Sequence, residues 1–326
     1  MATYKGIKGF KVQSLASDPT VEDTVGKVWY NTASAVLKYS SLGAGAWASG
    51  GAMVAAKYEG GSAGTQTAGL VSHGQPGYTL ASSTYNGSSW TAVNDALTGR
   101  YGPSGAGTTA AALVAGGWSP AGAHNETESW DGTSWTEVAN LNTARQYLPN
   151  NGTQTAALCV GGAPAASNGR LNESWNGASW TEITETTTGR YGMGGAGVQT
   201  AALVFGGKTQ PNATQVLTET WNGTSWTEVA DLNNARGAID GCGTTAAALA
   251  YGGSGPAPVD VPNIQTEQWD GTSWTSVSNM ANSSYGRSSI GTSTAALAGG
   301  GTPVSPTTAT EEWTDPTYAI KTVTTS

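Results

Sequence analysis

Trp130-Asp-Gly-Thr-Ser-Trp135 is one of five copies of a single phrase, which returns as Trp175-Asn-Gly-Ala-Ser-Trp180, Trp221-Asn-Gly-Thr-Ser-Trp226, Trp269-Asp-Gly-Thr-Ser-Trp274 and, with a softened start, Tyr85-Asn-Gly-Ser-Ser-Trp90. An Asn-Gly or Asp-Gly pair between aromatic residues signals a hairpin, because Gly and Asn tolerate the positive φ of a tight turn. A second landmark precedes each hairpin, an apolar run ending in paired glycine such as Ala111-Ala-Leu113-Val-Ala-Gly116-Gly117 or Ala201-Ala-Leu203-Val-Phe-Gly206-Gly207. Its leucine falls at 70, 113, 158, 203, 249 and 297, a period in the forties. Short apolar runs bounded by glycine read as buried strands. With a glycine-rich stretch before each run, such as residues 101–108, one period supplies four antiparallel strands, the unit of a propeller blade. Helical periodicity is absent, so an all-β propeller is expected.

The 326 residues would allow two domains, but a chain that repeats itself is one array whose core grows by stacking. The formal charge of −8 argues against nucleic acid and against an anionic membrane surface, both of which demand clustered Lys and Arg. No run approaches the roughly 20 apolar residues of a membrane span. Lys5, Lys8 and Lys11 are not followed by the apolar core and cleavage site of a signal peptide. Synthesis in a cytosol, with release by lysis or assembly, is the expectation. Cys159 and Cys242 sit at non-equivalent places in their repeats and read as buried small hydrophobes, not as a disulfide.

The order of landmarks over residues 50–322 resembles kelch repeats, in which a basic residue opens the unit, Gly-Gly closes the second strand, Tyr or Trp lies on the third and Trp begins the fourth. Here the basic position reads Lys57, Arg100, Arg145, Arg190 and Arg236, each thirteen residues before its leucine. Ser284 stands there in the last copy, followed by Tyr285-Gly286-Arg287, so an incomplete basic ring is expected. Closure has two solutions. Residues 1–50 form either a divergent blade, making seven with the six repeats of residues 51–326, or a separate attachment segment beside six blades. Strands around Trp29, Leu37 and Trp47, with Phe10-Lys-Val-Gln-Ser14 as a fourth, favour seven. The final hairpin is degenerate, reading Trp313-Thr-Asp-Pro-Thr-Tyr318.

Trp130, Trp135, Trp175, Trp180, Trp221, Trp226, Trp269 and Trp274 are assigned to structure, since an indole packed between blades buries on the order of 150–250 Å². Two residues before each hairpin aromatic stands Glu128, Glu173, Glu219, Glu267 or Glu311, with Ser83 in the first copy. One acid and one base per repeat point to a repeated ion pair or a cap on backbone amides.

Chemistry is weakly signalled. Kelch propellers include copper-radical oxidases resembling galactose oxidase, which need two Tyr and two His at the metal and a Cys bonded to one Tyr. The two histidines here, His73 and His124, occupy unlike positions, so no metal and no cofactor is expected. Nucleophile-elbow, phosphate-loop and Cys-x-x-Cys motifs are missing, and an enzyme is not expected. Variation is more telling. The segments after each Gly-Gly, 118–125, 163–170, 208–216, 254–263 and 302–310, differ in length and content, as loops of a recognition surface do. Trp118 is the first candidate contact, followed by His124, Arg170, Lys208 and Asp260.

Gly26-Lys-Val-Trp-Tyr-Asn-Thr-Ala-Ser-Ala-Val-Leu-Lys-Tyr39, leading to Ala46-Trp47, resembles short hairpin segments of phage tail fibres and other virion proteins, and its continuation into Gly-Gly units is similar to propellers encoded by marine tailed phages. The resemblance implies a non-enzymatic virion component, a tail-fibre tip, receptor-binding module or capsid decoration. Other virion proteins, copies of itself and a host surface glycan or receptor are the partners so implied. A glycan-binding lectin is the alternative, and a kelch-type oxidase the third reading.

Overall fold

The computed structural model describes residues 12–19, 27–42, 45–149, 151–164, 169–256, 261–302, 305–315 and 318–323. The chain divides into Ala46–Thr314 and a smaller unit of Met1–Gly45 with Asp315–Ser326. Every regular element among the described residues is a strand.

Ala46–Thr314 holds six four-stranded antiparallel sheets, one for each leucine of the repeat. In the second, Ser104–Gly107, Ala112–Ala115, Thr127–Trp130 and Trp135–Val138 run as strands a to d from the axis outward. The phrase Trp-Asp-Gly-Thr-Ser-Trp makes the c–d hairpin, with Trp130 opposite Trp135 and Gly132 at φ 93°. Asp131 Oδ1 accepts the amides of Thr133 and Ser134, which fixes the turn locally. Each strand a packs on the next around the axis, and Ser288–Gly291 of the sixth sheet returns to Gly61–Thr65 of the first. The ring is closed. Strands a approach so tightly that a Cβ on Gly105 would lie 2.3 Å from the Ser62 carbonyl oxygen, which is why they are written in Gly, Ala and Ser.

Among the described residues the closed ring has six blades, which corrects the preference for seven. Ala46–Ser49 is the outermost strand of the sixth sheet, pairing with Thr310–Thr314 so that Trp47 faces Trp313 as Trp135 faces Trp130. Thr314-Asp315 stands where the other hairpins carry Asn-Gly or Asp-Gly, so the glycine that takes the positive φ of that turn is missing. Tyr318–Thr322 therefore pairs elsewhere, with Val36–Leu42 in the smaller unit. That unit is a sheet in the order Gln13–Leu15, Val28–Asn31, Val36–Leu42, Tyr318–Thr322, with its first pair parallel. Asp18 gathers Trp29 Nε1, Asn31 Nδ2 and Lys38 Nζ on one carboxylate. Phe10 and Lys11 lie outside the described residues.

The core lies between blades. Leu113 and Ala115 of blade 2 pack with Cys159, Trp175 and Trp180 of blade 3, and the same pattern repeats around the ring. All eight hairpin tryptophans assigned to structure are buried, Trp130 at 1 % exposure. Their indoles also stitch the ring. Trp135 Nε1 donates to Ser82 Oγ, Trp180 to Thr127, Trp274 to Thr218, Trp47 to Thr266 and Trp90 to Thr310, each reaching strand c of the preceding blade. Trp226 finds Asn172 there instead of a hydroxyl and makes no such bond.

The repeated charges pair as expected. Arg145 meets Glu173 at 2.9 Å, Arg190 meets Glu219 and Arg236 meets Glu267 at 2.7 Å, all with side chains at most 1 % exposed. Each guanidinium also donates to the first Gly-Gly carbonyl, as Arg190 does to Gly206, while the carboxylate accepts amides of the connection before it, such as Thr187 N. Ionised groups so deep require this full set of partners. The ring is more complete than its spacing suggests. Arg287, three residues past Ser284, brings its Nη2 to Glu311 at 3.2 Å. In blade 1, where Ser83 replaces the acid, Lys57 Nζ donates to the Ala81 carbonyl.

Candidate functional site

In an antiparallel blade the a–b and c–d turns share one end, and the b–c loops and d–a connections share the other. The hairpin turns are near copies of one another. The other end carries all five variable segments, so differences between repeats gather around one mouth of the axis.

A backbone collar frames that mouth. Gly102 N donates to Glu59 O at 2.8 Å, Tyr147 N to Gly102 O at 2.6 Å, Gly192 N to Tyr147 O at 3.0 Å, Ile239 N to Gly192 O at 3.3 Å, Gly286 N to Ala238 O at 3.4 Å, and Glu59 N to Gly286 O at 2.6 Å. The six bonds return on themselves, one per blade. One left-handed residue stands in the collar in each blade, with φ 53° at Glu59, 65° at Gly102, 59° at Tyr147, 61° at Gly192, 45° at Ala238 and 63° at Gly286. Glycine alternates with side chain for a steric reason. A Cβ on Gly286 would come 2.8 Å from Glu59 Cγ and one on Gly102 3.1 Å from the Tyr147 ring. Three non-glycine residues thus hold a conformation that costs about 1–3 kcal/mol each, a strain that gathers at functional positions.

Immediately before the collar, Tyr58, Tyr101, Gln146, Tyr191, Gly237 and Tyr285 each bridge to the first residue of their own b–c loop. Their partners are Gln75, Trp118, Ala163, Lys208, Ser254 and Thr302, a different residue in every blade. Around blades 1 to 4 this builds an aromatic arc. Trp118 lies 5.6 Å from Tyr101 and 5.9 Å from Tyr78, Tyr101 lies 5.8 Å from Tyr147, and Tyr147 lies 6.1 Å from Tyr191. All five residues are half-buried.

Behind the collar is a cavity of about 80 Å³, lined by Glu59, Tyr147, Met193, Ile239, Asp240 and Arg287 among others. Burial pushes the Asp240 carboxyl up to about 8 against the pull of Arg287, and pushes Glu59 up to about 7 against that of Lys208. Tyr147 and Tyr58 are raised too, by burial and by the Glu59 charge. The two carboxyls that burial raises thus lie among the tyrosines at and behind the collar.

The named candidates fall as follows. Trp118 belongs to the arc. His124 sits in the same loop, with Nδ1 2.8 Å from Glu126 and Nε2 2.7 Å from Ser119. Arg170 is exposed, pairs with Glu185 at 3.2 Å and donates to Thr186 O. Lys208 is buried, bridging Tyr191 with its stem laid over Gly237. Asp260 lies outside the described residues. His73 is fully buried, held by Ser72 Oγ at 2.8 Å, and burial with the Arg100 charge pushes it down to about 4. Among the described residues no three His, Cys, Asp or Glu side chains gather as a metal site, and both cysteines are buried thiols. The collar and arc residues Tyr58, Glu59, Tyr78, Tyr101, Tyr147 and Tyr191 were missed in the sequence. Apart from Tyr78, which lies in a b–c loop, their signal was the residue pair after each basic position or after Ser284, Tyr-Gly in three repeats and Tyr-Glu, Gln-Tyr or Gly-Ala in the others.

No protein-family profile matches the chain, and no curated protein does. Among solved structures, one titled "Structure of YjhT" superposes with a TM-score of 0.67 at 12% identity, covering 83% of this chain and 99% of its own. At that identity the likeness shows the β-propeller fold.

Proposed function

We propose that the protein is a recognition propeller of a virion, an appendage or decoration protein that holds a saccharide of a host surface on the aromatic arc. The arc carries this reading. Half-buried rings of Trp118, Tyr78, Tyr101, Tyr147 and Tyr191 offer stacking faces for the C–H surfaces of sugar rings, beside hydroxyls and carboxyls able to pair with sugar hydroxyls. The sequence adds the virion. The hairpin stretch 26–39 resembles segments of tail fibres, and kelch-like units follow it. The smaller unit then serves attachment to other virion proteins, and multiple copies in a particle provide avidity. Binding by contact is the role assigned to this face.

A glycan array probed with the full chain tests the binding, and mass spectrometry of purified particles from the source tests the location. Trp118→Ala is expected to weaken the best array ligand about tenfold or more while the melting temperature holds, as removal of an aromatic anchor does. An array without hits, or one in which Trp118→Ala binds unchanged, contradicts the reading.

A further inference from the structure

Ser119, His124 and Glu126 stand in line beside the arc, and nothing in the recognition of a saccharide uses them. His124 Nδ1 is 2.8 Å from Glu126 Oε2, and Nε2 is 2.7 Å from Ser119 Oγ. Partial burial opposes ionisation of Glu126, but hydrogen bonds from its own amide and from His124 outweigh it and keep the carboxyl below its ordinary range. An ionised Glu126 only accepts, so it fixes the tautomer with the proton on Nδ1 and leaves Nε2 free to take one from Ser119. The frame is rigid. His124 N donates to Gly117 O, Arg145 N donates to His124 O, and Ser119 pairs with Gly122 across a tight hairpin. Ala121 N donates to Ser119 Oγ at 3.2 Å, which helps hold the hydroxyl in line with His124.

The loop of blade 4 gives the comparison that matters. Gln215, whose carbonyl likewise accepts the amide of the next blade's basic residue, Arg236, donates from Nε2 to Thr209 Oγ1 at 3.1 Å. An amide and a hydroxyl therefore suffice to tether such a loop. Blade 2 replaces the amide with a base and sets an acid behind it where blade 4 has Leu217. Tethering explains neither change.

We propose that Ser119, His124 and Glu126 form an acyl-transfer site whose substrate is an ester carried by the saccharide on the arc. Ser119 Oγ attacks the ester carbonyl carbon as its proton passes to His124 Nε2. The bond from carbonyl carbon to the sugar oxygen breaks, and that oxygen leaves with the proton from Nε2. Water then attacks the acyl-serine, giving its proton to Nε2, and the acid is released with Ser119 restored. The substrate rests on the proposed recognition role, while the chemistry does not. The sequence hid this set because Ser119 lies in a Trp-Ser-Pro hairpin that matches no nucleophile motif.

The full chain is treated with a fluorophosphonate probe and with p-nitrophenyl acetate, alongside Ser119→Ala and His124→Gln. The second variant keeps the tether seen in blade 4. Mass spectrometry is expected to place the probe on Ser119, and ester hydrolysis to fall about a hundredfold in both variants, with the melting temperature of His124→Gln unchanged. No probe on Ser119, or equal hydrolysis by wild type and Ser119→Ala, overturns the site. An acetylated array saccharide that stays acetylated while p-nitrophenyl acetate is cleaved would refute the assigned substrate alone. Saccharide binding retained by Ser119→Ala is expected, and it separates failure of this site from failure of the recognition reading.

Discussion

Asp240 breaks the sixfold pattern most sharply, since its counterparts Gly61, Ser104, Pro149, Gly194 and Ser288 carry no charge. It is 9 % exposed, accepts the Arg287 amide at 3.2 Å and feels Arg287, Glu59 and Arg236. Its carboxyl is raised from 3.8 to about 8 in the folded chain, so between those values the native state holds a proton that the unfolded state has lost. Stability from this group is whole below about pH 4 and drains away as pH rises through about 8. Asp240→Asn keeps an acceptor for the Arg287 amide and cannot ionise. Urea unfolding is expected to show the variant gaining on wild type by on the order of 4 kcal/mol more at pH 9 than at pH 5. An equal difference at both pH values would mean that Asp240 is solvated. Nothing in the sequence flagged this residue, because burial of a strand-a side chain depends on which blades crowd it. The Arg–Glu pairs were legible in the four periods that carry both an acid and a base at the repeated positions.

At the level of elements, the c–d hairpins and Gly-Gly strands were readable because turn chemistry and apolar runs are local. Closure was not. A repeat says that every blade needs an outer strand but not which segment supplies the last one, and Ala46–Ser49 reaches Thr310–Thr314 across the whole chain. Two marks were visible nonetheless: Asp315 in place of the turn glycine, and Trp47 with no hairpin of its own. Trp47 carries the clasp, packing at 5.6 Å on Trp313 and 4.9 Å on Tyr251 and bonding Thr266. Trp47→Ala is expected to cost about 3 kcal/mol in denaturant unfolding, by loss of an aromatic in the ring's seam. A loss within about 0.5 kcal/mol, the range of ordinary surface changes, would mean that the ring does not depend on this strand. Arg287 teaches the same lesson in miniature. The pairing with Glu311 survives although the residue that makes it has moved by three positions.

Across the whole molecule, sixfold packing and one-sided variation divide the labour. Buried indoles, ion pairs and the backbone collar hold six blades in register, which frees the b–c loops and the residues beside the collar to differ. The variable loops were visible in the sequence as segments of unequal length. The arc was not, because Tyr78 lies in a b–c loop and Tyr101, Tyr147 and Tyr191 in d–a connections of different blades, so they meet only when the ring closes. Hydrogen–deuterium exchange of the full chain, with and without its best array saccharide, tests directly whether this face is where the molecule recognises its ligand. Protection confined to the collar and the loops bearing Tyr78, Tyr101, Trp118, Tyr147 and Tyr191 is the predicted result. Protection on the Asn-Gly and Asp-Gly hairpin turns instead, or none on either face, would contradict it.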